Sequence, residues 1–514
     1  MFSRDKLLLV TAVALSLSIG WGIRGNFGHE TGAMIPGALA ALAAVILSGR
    51  NDWYGRAGSF GFFGALGWSF GGSISYMQVI GYTHSGHSLS VLYGFACLFL
   101  IGFLWAIFGG VGTALPACLD ADSLRSLFSL VFVIFAAWWV QDLLVNRLVQ
   151  VDSAFRHTDP LYWYDTDWLG VTVALGATLL CAAFRRRFDF GVKLALALGV
   201  GWWCGFAGFV LLLGWRMTPP RGDNWAGCLG MAVALCLFLA RQRMRLLLYS
   251  GLLCGTIGGV GFAFANCLKL MGISTGWQTN WHSLLEQSYG LINGIGIAAV
   301  MLVLRKHAAP QERPNVSSER IAVFFLLVVV TFVNLQKNVP RWVKASTVPS
   351  EMYGLSAEAW FMLAYAAAGL LFAYILFSKN LSELRAVPAA GRSQLIYLVF
   401  LWWIVMGNFE RALAGFTAER LVTEGIIFLN ALICTGLVLG RGALVEDESV
   451  SFSPVWRRVA GQMAGTILAV TLFCWGAIRL TQGDGQIGYA SRHIRFGPDA
   501  NATGEKPLPG RPHP

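Results

Sequence analysis

The chain has 514 residues, of which 56% are hydrophobic and only 13% are charged, and its mean hydropathy is +0.60. Soluble domains carry about 25% charged residues, so this composition excludes a chain of soluble domains. The net charge of +11 comes from basic residues in short loops between apolar runs, not from a basic stripe, which argues against a nucleic-acid partner.

Apolar runs recur along the whole chain at the length that crosses a hydrocarbon core of about 30 Å, and they predict an all-α, polytopic helical bundle with about 15 transmembrane helices. The first two predicted spans run from Leu7 to Ile23 and from Gly32 to Leu47, after a basic N-terminus, Met1–Lys6. When the spans are counted in order, the basic loops all fall on the same side of the membrane. These loops are Arg50–Arg56, Arg185–Arg187, Arg241–Arg245, Arg305–Arg320, Lys379–Arg392 and Arg457–Arg458. The positive-inside rule therefore predicts a multi-pass protein of the cell inner membrane, with a cytoplasmic N-terminus and an extracytoplasmic C-terminus.

An internal duplication is predicted from blocks that recur with a nearly constant offset. Gly64–Phe70 is matched by Gly258–Phe264, and His87-Ser-Leu is matched by His282-Ser-Leu. An even number of spans separates the copies, which predicts a parallel repeat of a six-helix unit with a three-helix C-terminal extension. The first span then has a partner in the second copy, so we expect it to be retained and not cleaved as a signal peptide. The predicted domains are 1–190 and 191–385 for the two repeats, 386–480 for the extension, and 481–514 for a flexible extracytoplasmic tail.

Ionisable residues in or beside spans are energetically costly and are therefore candidate functional residues. Most of them are predicted on the extracytoplasmic side, and the densest segment runs from Arg24 to Gly37. Arg24 is suited to bind a carboxylate or phosphate, and a desolvated Glu30 is suited to carry a proton. Alternatively, Arg24 and Glu30 pair with each other and His29 lies among the lipid headgroups. The candidate substrate-binding residues are Arg24, His29, Glu30, His87, Arg221, His282, Glu286, Glu410, Arg411 and Glu424.

Signatures of catalysis and of cofactor binding are absent from the sequence. His84 and His87 have no carboxylate or thiol beside them at metal-ligand spacing, and no HExxH motif occurs. No GxSxG, GxxxxGK[ST] or strand-associated GxGxxG motif is present either. The sequence therefore predicts no metal site and no cofactor.

Three functions stay open. A secondary transporter is favoured by the duplication, the glycine-rich spans and the absence of a catalytic domain. In it, Arg24 and Arg221 bind a small polar or anionic solute, and Glu30, Glu286 or Glu424 takes up a coupling proton. The alternative is a membrane transferase that acts at the outer leaflet on a lipid or lipid-linked substrate, with Glu30 or Glu424 as the base and Arg24 as the phosphate ligand. A scaffold or partner subunit without chemistry is the third. Membrane lipid is an expected partner in each case.

Overall fold

The computed structural model describes residues 4–148, 168–217, 223–312, 315–378, 387–413, 417–440 and 453–483. These residues are almost entirely helical. A short antiparallel hairpin pairs β1 (Glu351–Met352) with β2 (Leu355–Ser356), with Glu351 opposite Ser356. The all-α prediction is confirmed for this part of the chain.

In the described residues, 19 α-helices follow one another along the chain. The first ten are α1 (Arg4–Arg24), α2 (Glu30–Ser48), α3 (Asn51–Tyr54), α4 (Ala57–Gly72), α5 (Met77–Tyr82), α6 (Ser88–Cys118), α7 (Ala121–Leu148), α8 (Trp168–Arg185), α9 (Phe190–Phe206) and α10 (Asn224–Arg241). The remaining nine are α11 (Arg245–Ser274), α12 (Trp281–His307), α13 (Val316–Phe324), α14 (Thr331–Leu335), α15 (Asn338–Lys344), α16 (Ala357–Phe377), α17 (Ala389–Leu413), α18 (Ala418–Leu439) and α19 (Ser453–Gln482). Two π-helical segments, Ala207–Leu212 and Phe325–Val330, continue α9 and α13.

Within the described residues, 14 helical stretches are long and apolar enough to cross a membrane. This finding confirms a polytopic helical membrane protein. The first repeat block, Gly64–Phe70, falls in α4, which has only 16 residues and is therefore about 24 Å long at 1.5 Å per residue. The matching block Gly258–Phe264 lies in α11, a helix of 30 residues. The duplication itself stays a prediction.

Contacts divide the chain into two compact units, each assembled from separate segments. Unit 1 comprises Met1–Ser73, Phe99–Phe128 and Leu239–Ala477, and unit 2 comprises Ile74–Leu98, Ser129–Phe238 and Ile478–Pro514. The predicted repeat boundaries at 190, 385 and 480 stay predictions. The predicted tail lies mostly outside the described residues.

Helix α1 is the centre of unit 1, where it packs against α2, α12 and α18. Glycines permit this close approach, because a β-carbon at Gly290 of α12 would lie 2.6 Å from the carbonyl oxygen of Leu17. Similarly, a β-carbon at Gly64 would lie 2.8 Å from the side chain of Ala41 across the α2–α4 contact. Small residues at helix interfaces are typical of membrane bundles.

Two buried arginines join helix ends at one end of unit 1. Arg50 donates to the carbonyl oxygens of Arg305 (3.1 Å) and Ala308 (3.0 Å), and it pairs with Asp52 at 2.7 Å. Arg56, which is fully buried, donates to the carbonyl oxygens of Pro116, Leu119 and Glu312. The predicted cytoplasmic loops at 50–56 and 305–320 therefore meet at the same end.

The Asp52 carboxylate has a pKa below its ordinary value of 3.8. Burial by itself raises this pKa. The hydrogen bonds and charge of Arg50, together with the backbone N–H of Gln311 at 3.1 Å, lower it by more.

Candidate functional site

The sequence after α1 turns the chain back at once and directs Arg24 inward. α1 ends at Arg24, and the N–H groups of Asn26 and Phe27 donate to the carbonyls of Ile23 and Arg24 in a tight turn. Gly28 follows with φ of +94°, a conformation that glycine adopts without the steric cost of a β-carbon. Helix α2 then begins at Glu30.

Arg24 is only 1% exposed and forms a buried ion pair with Glu286, which is 4% exposed. Its Nη1 lies 3.1 Å from Glu286 Oε1. Its Nη2 lies 2.9 Å from Nδ1 of His29 and 3.4 Å from the carbonyl oxygen of Gly72. Because a guanidinium only donates hydrogen bonds, His29 accepts through Nδ1. Arg24 thus lies between a carboxylate and two neutral acceptors.

Aromatic rings surround the Arg24 guanidinium. Its Cζ lies 5.0 Å from the centroid of Trp21 and 5.2 Å from that of Trp105, and these two rings stack with centroids 5.0 Å apart. Tyr289 meets both tryptophans edge-on, and Phe262 packs against Trp105 at 4.9 Å. The electron-rich ring faces stabilise the buried cation and keep water and lipid away from it.

Glu286 is surrounded mainly by positive or proton-accepting groups. It lies one turn into α12, and His282 Nε2 is 3.9 Å from its Oε1. Lys269 on α11 interacts with it electrostatically. On the opposite side, a β-carbon at Gly25 would lie 2.6 Å from Glu286 Oε2. One buried carboxylate therefore pairs with Arg24, lies beside His282 and interacts electrostatically with Lys269.

A second polar network lies on the other side of the α1–α2 turn. Asn26 donates to Asn408 Oδ1 at 2.7 Å, and Asn408 in turn donates to Glu424 Oε2 at 2.6 Å. Gln287, adjacent to Glu286, donates to the carbonyl oxygen of Thr423 at 3.1 Å. The turn therefore lies against Glu286 at Gly25 and is linked to Glu424 through Asn26 and Asn408.

Lys337 connects the α1–α2 turn to other polar side chains nearby. It donates to the carbonyl oxygen of Phe27 and, at 2.8 Å, to the hydroxyl of Thr31. Glu30, which is exposed, interacts with Lys337 electrostatically. Arg411 donates to the Lys337 carbonyl oxygen at 2.7 Å.

Most of the predicted substrate-binding residues thus occur together in unit 1, but they form several groups. Arg24, His29, His282 and Glu286 make one cluster. Glu424 joins the Asn26–Asn408 network, Glu30 and Arg411 gather around Lys337, and Glu410 is exposed. The alternative pairing of Arg24 with Glu30 does not occur, because Arg24 pairs with Glu286 instead.

The two other candidates belong to segments of unit 2. His87 lies just before α6, where its Nδ1 is 3.0 Å from the hydroxyl of Ser90. Arg221 lies outside the described residues. Nearby, the fully buried Asp223 accepts from the backbone N–H of Met217 at 2.6 Å and pairs with Arg216 at 3.3 Å.

Two contributions to the site were not anticipated from the sequence. Trp21 lies near the end of the first predicted span, a position typical of an interfacial aromatic belt, but it is fully buried against Arg24. Lys337 was not among the candidate residues, and it contacts the α1–α2 turn. The positive charge of Lys337 directly after an apolar run could have marked it as a candidate. Its partner Thr31 is about 300 residues away in the sequence and could not be predicted.

The described residues include no group of three or more His, Cys, Asp or Glu side chains arranged to hold a metal ion. No protein-family model matches the chain, and no similar curated protein or solved structure was found. The functional conclusion therefore depends on the geometry of the cluster around Arg24.

Proposed function

We propose that this protein is a proton-coupled secondary transporter for a small anionic solute. The observation that carries the proposal is the buried Arg24–Glu286 pair with His29 and His282 on either side. A charged pair inside a set of membrane helices is costly, and such pairs mark substrate and ion pathways.

The charges around Arg24 favour an anionic solute. Arg24 Nη1 lies 3.1 Å from Glu286 Oε1, and a guanidinium can bind a carboxylate through two parallel bonds. A solute carboxylate would take the place of Glu286 on Arg24. Lys269 would add a second positive charge to the same region.

Coupling to a proton follows from the displacement of Glu286. A carboxylate that loses its cationic partner in a buried site favours its protonated form. The His282 side chain is 40% exposed and lies 3.9 Å from Glu286, so it can pass a proton between Glu286 and the aqueous phase. Release of the solute then lets Glu286 lose the proton and return to Arg24.

Enclosure of the pair favours transport over a reaction at the outer leaflet. A transferase that acts on a lipid-linked substrate needs its catalytic groups open to the lipid. The 1% and 4% exposure of Arg24 and Glu286 and the surrounding rings of Trp21 and Trp105 are instead suited to a binding site that opens only during transport.

Proton flux in proteoliposomes tests the proposal. Acetate, succinate, citrate and the uncharged sugar glucose would be supplied outside vesicles that contain a pH-sensitive dye. We expect at least one carboxylate to drive protein-dependent proton movement and glucose to drive none. Glu286→Gln should abolish the flux, whereas Glu358→Gln, which changes a surface carboxylate of α16, should leave it intact.

Two outcomes would contradict the proposal. Unchanged flux in Glu286→Gln would remove this residue from coupling. Absence of solute-driven flux, together with conversion of a lipid-linked substrate by the purified protein, would favour the transferase.

A further inference from the structure

Three arginines from three different helices of unit 1 lie within electrostatic range of one another. Arg341 lies on α15, Arg411 near the end of α17 and Arg420 at the start of α18. Arg411 is repelled electrostatically by both Arg341 and Arg420, and Arg341 is repelled by Arg420. We call these residues the arginine triad.

Hydrogen bonds fix the helices that carry the triad. Trp342 Nε1 donates to the carbonyl oxygen of Glu410 at 3.2 Å, and Arg411 Nη1 lies 3.3 Å from Oδ1 of Asn338. These bonds hold α15 against the end of α17. The Asn408–Glu424 bond of 2.6 Å holds the end of α17 against α18. The helix ends that carry the three arginines are therefore fixed next to one another by hydrogen bonds.

Within the described part of the chain, no carboxylate forms an ion pair with an arginine of the triad. Among the described residues, no triad member has a carboxylate oxygen within 4.0 Å. Glu424 interacts with Arg341 and Arg420 only at longer range, and it accepts from Asn408 instead. In addition, Nε of Arg411 is buried and has no hydrogen-bond partner in the described part of the chain.

We propose that the arginine triad binds a phosphate group, either free phosphate or the headgroup of an anionic phospholipid. An anion between the three guanidinium groups would offset their mutual repulsion. Phosphate has several oxygens that can each accept hydrogen bonds from the paired N–H groups of a guanidinium. The triad lies where α17 ends and α18 begins, and the N-terminus of α18, a helix of 22 residues, adds partial positive charge. The proposal does not depend on the transport function.

Thermal unfolding in a neutral detergent tests the site, with sodium phosphate as the probe and sodium chloride of equal ionic strength as the reference. We expect phosphate to raise the midpoint of unfolding of the unmodified protein above that in chloride. Arg341→Gln and Arg420→Gln should lose this increment. Neither side chain makes a hydrogen bond in the described residues, so both variants should fold. Arg320→Gln, a partly buried arginine of α13, is the matched control and should keep the increment.

Nanodiscs of phosphatidylcholine with or without phosphatidylglycerol identify the source of the phosphate group. Stabilisation by phosphatidylglycerol but not by free phosphate, lost in Arg420→Gln, would assign the site to a lipid headgroup. Stabilisation by free phosphate in pure phosphatidylcholine would assign it to a soluble anion. An equal response of the unmodified protein, Arg341→Gln and Arg420→Gln to both probes would overturn the proposal.

Discussion

Gly25 lies so close to Glu286 that a β-carbon at position 25 would fall 2.6 Å from the Glu286 carboxylate oxygen Oε2. Arg24, which pairs with that carboxylate, is the residue immediately before Gly25. The position of the ion pair is therefore set by the absence of a side chain at the next residue.

Gly25→Ala should displace Glu286 and weaken its contact with Arg24. Overpacking costs about 1–3 kcal/mol in a core, and we expect a loss at the lower end of that range, because Gly25 is exposed and the end of the Glu286 side chain can shift. Denaturant titration in mild detergent measures it. Gly425→Ala is the control, because a β-carbon there meets nothing within 4 Å and should add up to about 1 kcal/mol of helix stability. Equal stability of the two variants would contradict the predicted contact.

Glu286→Gln should destabilise the protein by about 3 kcal/mol or more, since it leaves the buried Arg24 without its counter-charge. The double variant Arg24→Gln/Glu286→Gln should lose less than the sum of the two single variants, because the second change removes a charge that is already unpaired. Unfolding free energies for the complete double-mutant cycle test this. Strict additivity would mean that the two residues do not interact in the folded protein.

Asn408→Ala should cost about 1–3 kcal/mol, because it removes the donor to the buried Glu424 and the acceptor for Asn26. Asn26→Ala removes only one of these bonds, at a partly buried position, and should cost less. Thermal unfolding of both variants in one buffer gives the comparison. A larger loss of stability in Asn26→Ala than in Asn408→Ala would show that the network does not pass through Asn408.

Asp52 should give the protein acid-sensitive stability. Its pKa is lower in the folded state than the usual value, so its contribution is complete above the unfolded-state pKa of about 3.9 and is lost as pH falls through the lower folded-state pKa. Unfolding of the unmodified protein and of Asp52→Asn should therefore differ most near neutral pH and converge in strong acid. Asp122→Asn, whose side chain is 93% exposed, controls for loss of a surface carboxylate. A constant difference between the unmodified protein and Asp52→Asn across this range would contradict the assignment.

Apolar run length predicted the membrane-spanning character, because a helix must cover the hydrocarbon core with nonpolar side chains. It did not predict that α4 stops after 16 residues, since a buried helix and a spanning helix share the same composition. The change from α13 to a π-helical segment at Phe325 also has no signal in hydropathy.

The sequence predicted which residue types form the candidate site, but only in part which of these side chains contact one another. The cost of burying a charge identified Arg24 and Glu286 individually. Their pairing depends on how α1 packs against α12, which hydropathy does not specify. Glu30 is closer to Arg24 in the sequence, yet α2 begins at Glu30 and this side chain is exposed near Lys337.

The hydrogen bonds of the fully buried Arg56 have a wider consequence. Its partners at one end of unit 1 are backbone carbonyl oxygens, which neither gain nor lose a proton and cannot be replaced by a dissolved anion. At the Arg24 end, by contrast, carboxylates, amides and imidazoles contact one another, and protons or anions compete for the same atoms. Near neutral pH, the Arg56 contacts should therefore stay unchanged when the pH or the dissolved anion changes, whereas the contacts around Arg24 should respond to both.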